Sequence, residues 1–288
     1  MKSLLGDLIN ECFDTGVDIL SVRPVSGGDI NMAYACRTDH GDFFIKLNQP
    51  SRCDMADAER MALQELDLKS GFKVPTVYGV VSNQQYSALI LEHINLSALS
   101  GAGYYLAGEK LAQMHRCHQP YFGWIRDNYI GTTLQPNTRS GSWLAFLLND
   151  RLKFQIELLN NRNLNELAMA LPRCLTILFK GYESAPSLIH GDLWSGNIAA
   201  DTTGQPVVFD PACYYGDREM DLAMTELFGG FPQSFYQGYN AVWPLDTGYE
   251  QRKPVYQLYH ILNHANLFGG DYVDRAERML RRILEFSS

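Results

Sequence analysis

The sequence predicts an α+β protein of two lobes, in which a small antiparallel β-sheet lobe precedes a larger, mainly helical lobe. Two observations lead to this prediction. Short β-like segments separated by turn residues fill most of the first 92 positions. After Asn95 the pattern changes to long stretches with the apolar periodicity of helices. The predicted lobes are residues 1–93 and residues 94–288.

The first lobe is predicted to begin with a helix over residues 3–14 and to continue as a sheet of five strands. The stretch PVSGGDINMAYACRTDHGDFFIKL, at 24–47, predicts three strands joined by a glycine turn and by a tight turn near residue 40. Residues 54–70 lack Gly and Pro and are rich in helix formers, which predicts a helix. Two more strands are predicted at 76–82 and 86–92.

The second lobe is predicted to consist mostly of long helices. The segments with helical patterns are 103–118, 141–160, 162–183, 251–268 and 271–286. Between them, two short apolar runs at 197–200 and 206–209 flank the turn DTTG, which predicts a small hairpin.

Composition excludes several classes of function. The net charge of −8 makes nucleic acid and anionic membranes poor partners. No run of about 18 uncharged apolar residues predicts a membrane span. Asp7, Asn10 and Glu11 interrupt the first apolar run, which argues against a signal peptide. The six cysteines form no C-x-x-C pair, so reduced thiols in a cytoplasmic protein are expected.

The octet HGDLWSGN, at 190–197, carries the strongest chemical signal. Asp192 and Asn197 lie five residues apart, and Asp210 follows the next apolar strand. The oxygens of Asn197 and Asp210 suit Mg²⁺, while Asp192 is placed to accept a proton from a hydroxyl. This spacing is the pattern of phosphoryl-transfer enzymes. The alternative is that Asp192 and Asn197 only close a loop by side-chain hydrogen bonds.

The first lobe supplies residues that suit ATP binding. Lys46 lies in the apolar strand FFIKL, where a buried ammonium needs an anion, and Glu59 on the following helix is the candidate. A lysine at an exposed strand end is the alternative. Gly27 and Gly28 lie in a turn whose N–H groups suit a phosphate, although an ordinary hairpin turn has the same pattern.

Further candidates surround this set. Glu92 and Ile94, at the junction of the lobes, are placed to offer backbone groups to an adenine edge. Trp194 lies among polar residues of the octet, where its ring is placed to face a substrate. His260 and His264 have the i,i+4 spacing of helical metal sites, but no suitably spaced Glu or Cys completes one. His264 is therefore a candidate for lining the substrate pocket or for helix packing.

The stretch LIHGDLWSGNIAADTTGQPVVFDPACYYGDREMDLAMTELFGGFP, at 188–232, resembles the fructosamine kinase (ketosamine-3-kinase) family. The resemblance runs nearly end to end, through blocks such as SGGDINMAY, FIKLN, LILEHI and NYIGTTLQPN. That family belongs to the aminoglycoside-phosphotransferase-like branch of the protein-kinase-like fold. DPA stands where protein kinases have Asp-Phe-Gly, so no protein-kinase activation switch is expected. Asp29 stands where many relatives have a cysteine, so no thiol-based control of dimerisation through this loop is expected.

The resemblance implies ATP-dependent phosphorylation of the 3-hydroxyl of a ketosamine, the rearranged adduct of a sugar with an amine, and hence a role in deglycation. By the same resemblance, Asp192 is the base, Asn197 and Asp210 hold Mg²⁺, and Lys46 binds the nucleotide phosphates. A ketosamine amine is cationic near neutral pH, so Asp217 or Glu219, with Trp194, is expected to receive it.

Three alternatives remain at this stage. The acidic run after Asp210 is structural in one of them, with Asp221 holding backbone N–H groups of the octet. The substrate is choline, an aminoglycoside or an amino-acid alcohol in the second. In the third, the protein binds a nucleotide without catalysis, although keeping Lys46, Asp192, Asn197 and Asp210 argues against that. The sequence does not specify the sugar, the amine, the choice between a free small molecule and a glycated protein, or the oligomeric state.

Overall fold

The computed structural model describes residues 1–13, 16–25 and 32–286. It confirms the α+β fold, with an antiparallel sheet of five strands followed by a mainly helical part. The glycine turn with Gly27, Gly28 and Asp29 lies outside the described residues. The division of the chain at residues 93 and 94 stays a prediction, although the last strand of the sheet ends at Glu92.

The sheet has the strand order β1-β2-β3-β5-β4, and all its neighbouring strands are antiparallel. Its strands are β1 (Ile19–Val25), β2 (Met32–Thr38), β3 (Gly41–Asn48), β4 (Val77–Ser82) and β5 (Ser87–Glu92). The tight turn expected near residue 40 joins β2 to β3. The β-like segments bounded by turn residues therefore predicted this sheet correctly.

The two faces of the sheet pack against different helices. Helix α1 (Lys2–Phe13) lies on one face, where Leu8 and Ile9 share a core with Ile90 of β5. Helix α2 (Cys53–Lys69) lies on the other, where its Leu66 shares a core with Leu89. Because successive residues of a strand point to opposite faces, β5 contributes to both cores and is buried along most of its length.

The second part of the chain contains nine helices within the described residues. They are α3 (Gly101–Met114), α4 (Trp143–Phe146), α5 (Phe154–Leu159), α6 (Arg162–Ala168), α7 (Leu171–Leu178), α8 (Glu219–Thr225), α9 (Gln233–Val242), α10 (Tyr249–Phe268) and α11 (Asp271–Glu285). A π-helical segment, Leu147–Lys153, joins α4 to α5.

Three small antiparallel pairs of strands complete this part. They are β6 (Asn128–Ile130) with β7 (Thr133–Gln135), β8 (Ser187–Ile189) with β11 (Tyr214–Gly216), and β9 (Ile198–Ala200) with β10 (Pro206–Val208). The hairpin β9–β10 is the one expected from the sequence. The segment predicted as one helix at 162–183 forms two helices, and Pro172 lies in the first turn of α7, where its missing N–H costs nothing.

Two further observations concern the helices and the cysteines. Among the described helices, none combines the length and the apolar character that crossing a membrane requires. All six cysteines are free thiols.

Candidate active site

The octet 190–197 forms a loop between β8 and β9, and its glycines are required by close contacts. Gly191 has φ +83°, and a Cβ at this position would lie 2.2 Å from the carbonyl oxygen of Ala212. Any other residue would therefore combine an unfavourable backbone conformation with a clash against backbone. Gly191 thus lets the loop pass close to the chain that follows Asp210.

Asp221, in the first turn of α8, holds the start of this loop. Its carboxylate accepts hydrogen bonds from the N–H of His190 at 2.7 Å and from the N–H of Gly191 at 2.8 Å. His115 Nε2 lies 3.2 Å from the same group. Burial opposes ionisation, but the hydrogen bond and charge of His115 keep the pKa of Asp221 below its ordinary value. These contacts agree with the structural alternative for Asp221.

Asp192 and Asn197 lie together in the loop. The side-chain amide of Asn197 donates to the backbone oxygen of Asp192 at 2.8 Å and to its carboxylate at 3.2 Å. Burial, and then the neighbouring charge of Asp210, raise the pKa of Asp192 to about 7. A carboxylate with a pKa near neutral is suited to accept a proton from a hydroxyl.

Lys46 of β3 connects the sheet with the loop after β10. Its Nζ donates to Glu59 Oε1 of α2 at 2.5 Å and to Asp210 Oδ1 at 2.5 Å. Burial alone would lower the pKa of Lys46, but the charges of Asp210 and Glu59 raise it above its ordinary value. The buried lysine is therefore charged, and the ion pair with Glu59 expected from the sequence is present.

The side-chain oxygens of Asn197 and Asp210 are of the kind that Mg²⁺ prefers. Because the amide nitrogen of Asn197 is committed to Asp192, its side-chain oxygen is left for a cation. The Asp210 side chain is 47% exposed, and its backbone has φ 57°, which places the carboxylate beyond the end of the strand. No cluster of three His, Cys, Asp or Glu side chains suited to a metal occurs within the described residues. Mg²⁺ suits this donor set, since it typically takes one or two protein carboxylates plus phosphate and water oxygens.

The segment after β5 leaves the sheet at Glu92. The N–H of Glu92 donates to Thr76 O at 2.9 Å, and its carboxylate accepts from the Thr76 hydroxyl at 2.9 Å. The N–H and C=O of Ile94 have no hydrogen-bond partner in the part of the chain that the structure describes. Of the two residues expected to offer backbone groups, the N–H of Glu92 is thus already used, whereas the N–H and C=O of Ile94 are left for another molecule.

Trp194 lies across the octet. A Cβ added to Gly196 would fall 2.3 Å from its ring, so the ring rests directly on the Gly196 backbone. The side chain is large and apolar, yet Trp194 is 39% exposed. It presents an aromatic surface beside Asp192.

Asp217 and Glu219 occupy different positions from those expected of substrate ligands. Both are fully buried. Asp217 accepts from the hydroxyls of Tyr256 at 2.8 Å and Tyr182 at 3.1 Å. Glu219 receives two hydrogen bonds from Arg252, both at 2.8 Å. Because these oxygens are shielded and already paired, the expectation that they receive a substrate cation is not supported, and a structural role fits both residues.

His264 lies in an aromatic group on α10. Its Nδ1 is 2.8 Å from His260 O, and its ring packs against Phe228, Phe268 and Tyr272. One ring nitrogen of His264 is thus used within the helix, and no group of three His, Cys, Asp or Glu side chains that could hold a metal ion occurs within the described residues. The positions of both histidines fit helix packing.

Two residues that pair with these buried carboxylates were not identified from the sequence. His115 bonds Asp221, and Arg252 pairs with Glu219 and also with Asp246 at 2.7 Å. Both residues lie far along the chain from the carboxylates that they contact, so no local sequence pattern indicates these contacts. A buried charge needs a partner, and this requirement was the only available signal.

Comparison with known proteins agrees with this arrangement. The fructosamine kinase family profile matches residues 1–286. A probable ketoamine kinase of Synechocystis is 44% identical over 265 residues, covering 91% of this chain and 90% of the relative. The probable ketoamine kinase YniA of Escherichia coli K12 is 37% identical, covering 99% of both chains.

Solved structures of related proteins agree with this family match. A candidate fructosamine-3-kinase from Haemophilus somnus superposes with TM-score 0.88 at 30% identity, covering 97% of this chain and 96% of the other. The choline kinase LicA of Streptococcus pneumoniae has TM-score 0.67 at 15% identity and 99% coverage of both chains, so it shares the fold alone. With a whole-chain profile match and relatives of this similarity, the chain belongs to the fructosamine kinase family.

Proposed function

We propose that this protein is an ATP-dependent ketosamine-3-kinase. The observation that carries the proposal is the position of Lys46, which bonds both Glu59 and Asp210. Phe209, which precedes Asp210, donates its N–H to the backbone oxygen of Asn197, so the lysine lies close to the loop that carries Asp192 and Asn197. Among proteins with this arrangement, phosphoryl transfer from a nucleotide is the shared chemistry. Membership of the fructosamine kinase family supports a ketosamine as the acceptor.

Asp192 acts as the general base. It accepts the proton of the substrate 3-hydroxyl as that oxygen forms a bond to the γ-phosphorus of ATP, and the bond from the γ-phosphorus to the bridging oxygen breaks to leave ADP. Its pKa of about 7 leaves a large fraction ionised at neutral pH and gives useful basicity. The hydrogen bonds from Asn197 hold the carboxylate in position.

Lys46, Asn197 and Asp210 hold the nucleotide. The ammonium of Lys46 binds phosphate oxygens of ATP, and Glu59 keeps it in place. Asn197 and Asp210 hold Mg²⁺, which neutralises charge on the phosphates. The free backbone groups of Ile94 bind the adenine edge. Gly27 and Gly28 cover the phosphates in this proposal, and they lie outside the described residues.

The two lobes divide these tasks. Residues 1–93 form the nucleotide-binding lobe, and residues 94–288 carry the catalytic and substrate-binding groups. Trp194 offers its exposed ring to the cationic amine of the ketosamine. The substrate is a small-molecule ketosamine or a glycated amine, and the enzyme works in the cytoplasm.

The test measures ATP consumption in the presence of Mg²⁺, with and without a ketosamine. A panel of fructose-, ribulose- and erythrulose-derived adducts is compared with choline and an aminoglycoside, and phosphorus NMR locates the transferred phosphate. We expect consumption that depends on the ketosamine and a phosphate on its 3-oxygen. Turnover of choline or the aminoglycoside alone would refute the assigned acceptor.

A further inference from the structure

Four of the five acidic residues of helix α2 bond to other parts of the protein. Asp54, Asp57 and Glu65 are spaced by three and eight residues, which places them along one face of the helix. Glu59 lies roughly 140° around the helix from Asp54. Glu59 thus faces Lys46 of the sheet, while the other three carboxylates face a different part of the protein.

The first turns of α2 are held by Arg126. Its guanidinium bonds Asp57 Oδ2 at 2.8 Å and also bonds Asp54. The hydroxyl of Tyr129 donates to the second oxygen of Asp54 at 2.9 Å. Both contacts come from the segment 124–135, which contains β6 and β7, and both lie within two turns of Glu59.

The last turns of α2 are held by the same segment and by β11. Trp124 Nε1 donates to Glu65 Oε2 at 2.9 Å, and the Tyr215 hydroxyl donates to Glu65 Oε1 at 2.8 Å. Lys69 donates to both Glu65 and Tyr215, at 2.9 and 2.8 Å. Burial opposes ionisation of Glu65, but these hydrogen bonds keep its pKa below the ordinary value.

The segment 124–135 is itself fixed to the chain that follows Asp210. The Asn128 side chain donates to Cys213 O at 2.8 Å, and the Gln135 side chain donates to Ala212 O at 3.0 Å. All four of these residues are buried. One segment, fixed by buried hydrogen bonds, therefore contacts both α2, which carries Glu59, and the stretch that follows Asp210.

We propose that residues 124–135 form a clamp that holds α2 in place, so that Glu59 and Asp210 meet Lys46 in the arrangement that binds ATP without any activating event. Protein kinases use a movable helix at this position, and its placement controls the lysine–glutamate pair. In this protein the clamp carries out that placement permanently. Arg126 and Trp124 act as positioning residues, through α2. The proposal rests on the proposed function only for the identity of the ligand at Lys46.

The experiment compares Arg126→Gln and Trp124→Phe with the wild type. Arg126→Lys tests whether a cation without the guanidinium fork restores function in part. Arg162→Gln is the matched control, because it removes an exposed arginine that pairs with Glu166 far from the clamp. Trp124→Phe keeps a buried aromatic ring and removes the N–H that Glu65 accepts.

Two readouts separate positioning from general stability. Hydrogen exchange of the 53–69 peptides is expected to become about three- to tenfold faster in the clamp variants, and to slow again when a non-hydrolysable ATP analogue binds with Mg²⁺. The dissociation constant of that analogue is expected to rise by about three- to tenfold. The KM for ketosamine and the exchange of α10 should stay at wild-type values.

Unchanged exchange in α2 would overturn the clamp, as would faster exchange throughout the protein with equal loss of both substrates. A wild-type protein that binds no nucleotide would refute the proposed function alone. The exchange of α2 in the free variants would then still show whether the segment 124–135 holds the helix.

Discussion

At the scale of single residues, Asp192 and Asp210 are two carboxylates with different environments. Asp192 is hydrogen-bonded by Asn197 in the catalytic loop, whereas Asp210 bonds Lys46 and is half exposed. We expect Asp192→Asn to lower kcat by about 10²–10⁴-fold while ATP affinity changes little, since a positioned base contributes about that much. Asp210→Asn should instead weaken Mg-ATP binding as well as turnover.

Steady-state kinetics and direct nucleotide binding test this pair together. Each variant serves as the control for the other, because both replace a carboxylate by an amide of the same size. Similar, mild losses in the two variants would contradict the separate roles of base and metal ligand.

His260 should make the stability of the protein depend on pH. It is 1% exposed, its Nδ1 has no partner within the described residues, and burial and then His264 lower its pKa to about 3. Below about pH 6.5 the unfolded chain takes up a proton at this residue that the folded protein excludes, so stability is lost as the pH falls. Its share of that loss between pH 7 and pH 5 is about 2 kcal/mol.

Urea unfolding of the wild type and His260→Gln at pH 7 and pH 5 measures this share. Between pH 7 and pH 5, the free energy of unfolding of the variant should fall by about 2 kcal/mol less than that of the wild type. This difference does not depend on how stable the variant is at pH 7. Carboxylates with raised pKa values, such as Asp192, act in the opposite direction in both proteins and cancel in the comparison. Equal losses would show that His260 is protonated in the folded state.

The sequence predicted best those residues whose role follows from their immediate neighbours in the chain. Lys46 lies in an apolar strand that demands an anion, and the structure provides Glu59. Asp217 and Glu219 were placed on the substrate side because they follow Asp210 closely in the chain. Their actual partners, among them Arg252, come from another segment, and sequence spacing does not show such contacts.

At the scale of elements, β-like segments bounded by turn residues predicted the five strands of the sheet, but sequence periodicity missed elements that are short or fully buried. The helix α8 is buried on all sides, so it lacks the polar stripe that marks an amphipathic helix. The strands β6 and β7 have three residues each, too few to show alternation. The clamp could not be predicted from the sequence, because its contacts depend on where β6 and β7 lie in the fold and these strands are too short to show a pattern.

The packing of α3 against α9 depends on two glycines. A Cβ at Gly108 would lie 2.0 Å from Phe235 O, and a Cβ at Gly238 would lie 2.0 Å from Tyr105 O. Gly108→Ala should gain about 1 kcal/mol of helix propensity but lose more through overpacking of the two backbones. We expect a net loss of roughly 1–3 kcal/mol in the free energy of unfolding.

Gly101→Ala is the matched control in the same helix. Nothing lies within 4 Å of a Cβ at this position, at the start of α3. Urea unfolding should therefore find this variant at least as stable as the wild type. If Gly108→Ala were equally stable, the two helices would have room to separate, and the glycine contact would not set their distance.

At the scale of the whole molecule, the sheet and the helical part of the chain share one core. Leu66 of α2 and Leu89 of β5 belong to the same apolar cluster as Leu222 of α8 and Leu258 of α10. The opposite face of the sheet, with α1, forms a smaller cluster of its own. Helix α2 thus covers the inner face of the sheet and packs in the same core as α8 and α10, and the clamp adds polar contacts along α2.

This shared core should make the lobes unfold together, because separating them would expose the inner face of the sheet to water. All four tryptophans lie between residues 124 and 243, so their fluorescence follows mainly the helical part, although Trp124 also contacts Glu65 of α2. Cys36 is buried in the sheet and follows the other lobe, by pulsed thiol labelling mapped with mass spectrometry. We expect the two probes to give the same urea midpoint. Labelling of Cys36 at lower urea than the fluorescence change would mean that the outer cluster with α1 unfolds first, and that the shared core does not bind the sheet to the helical lobe.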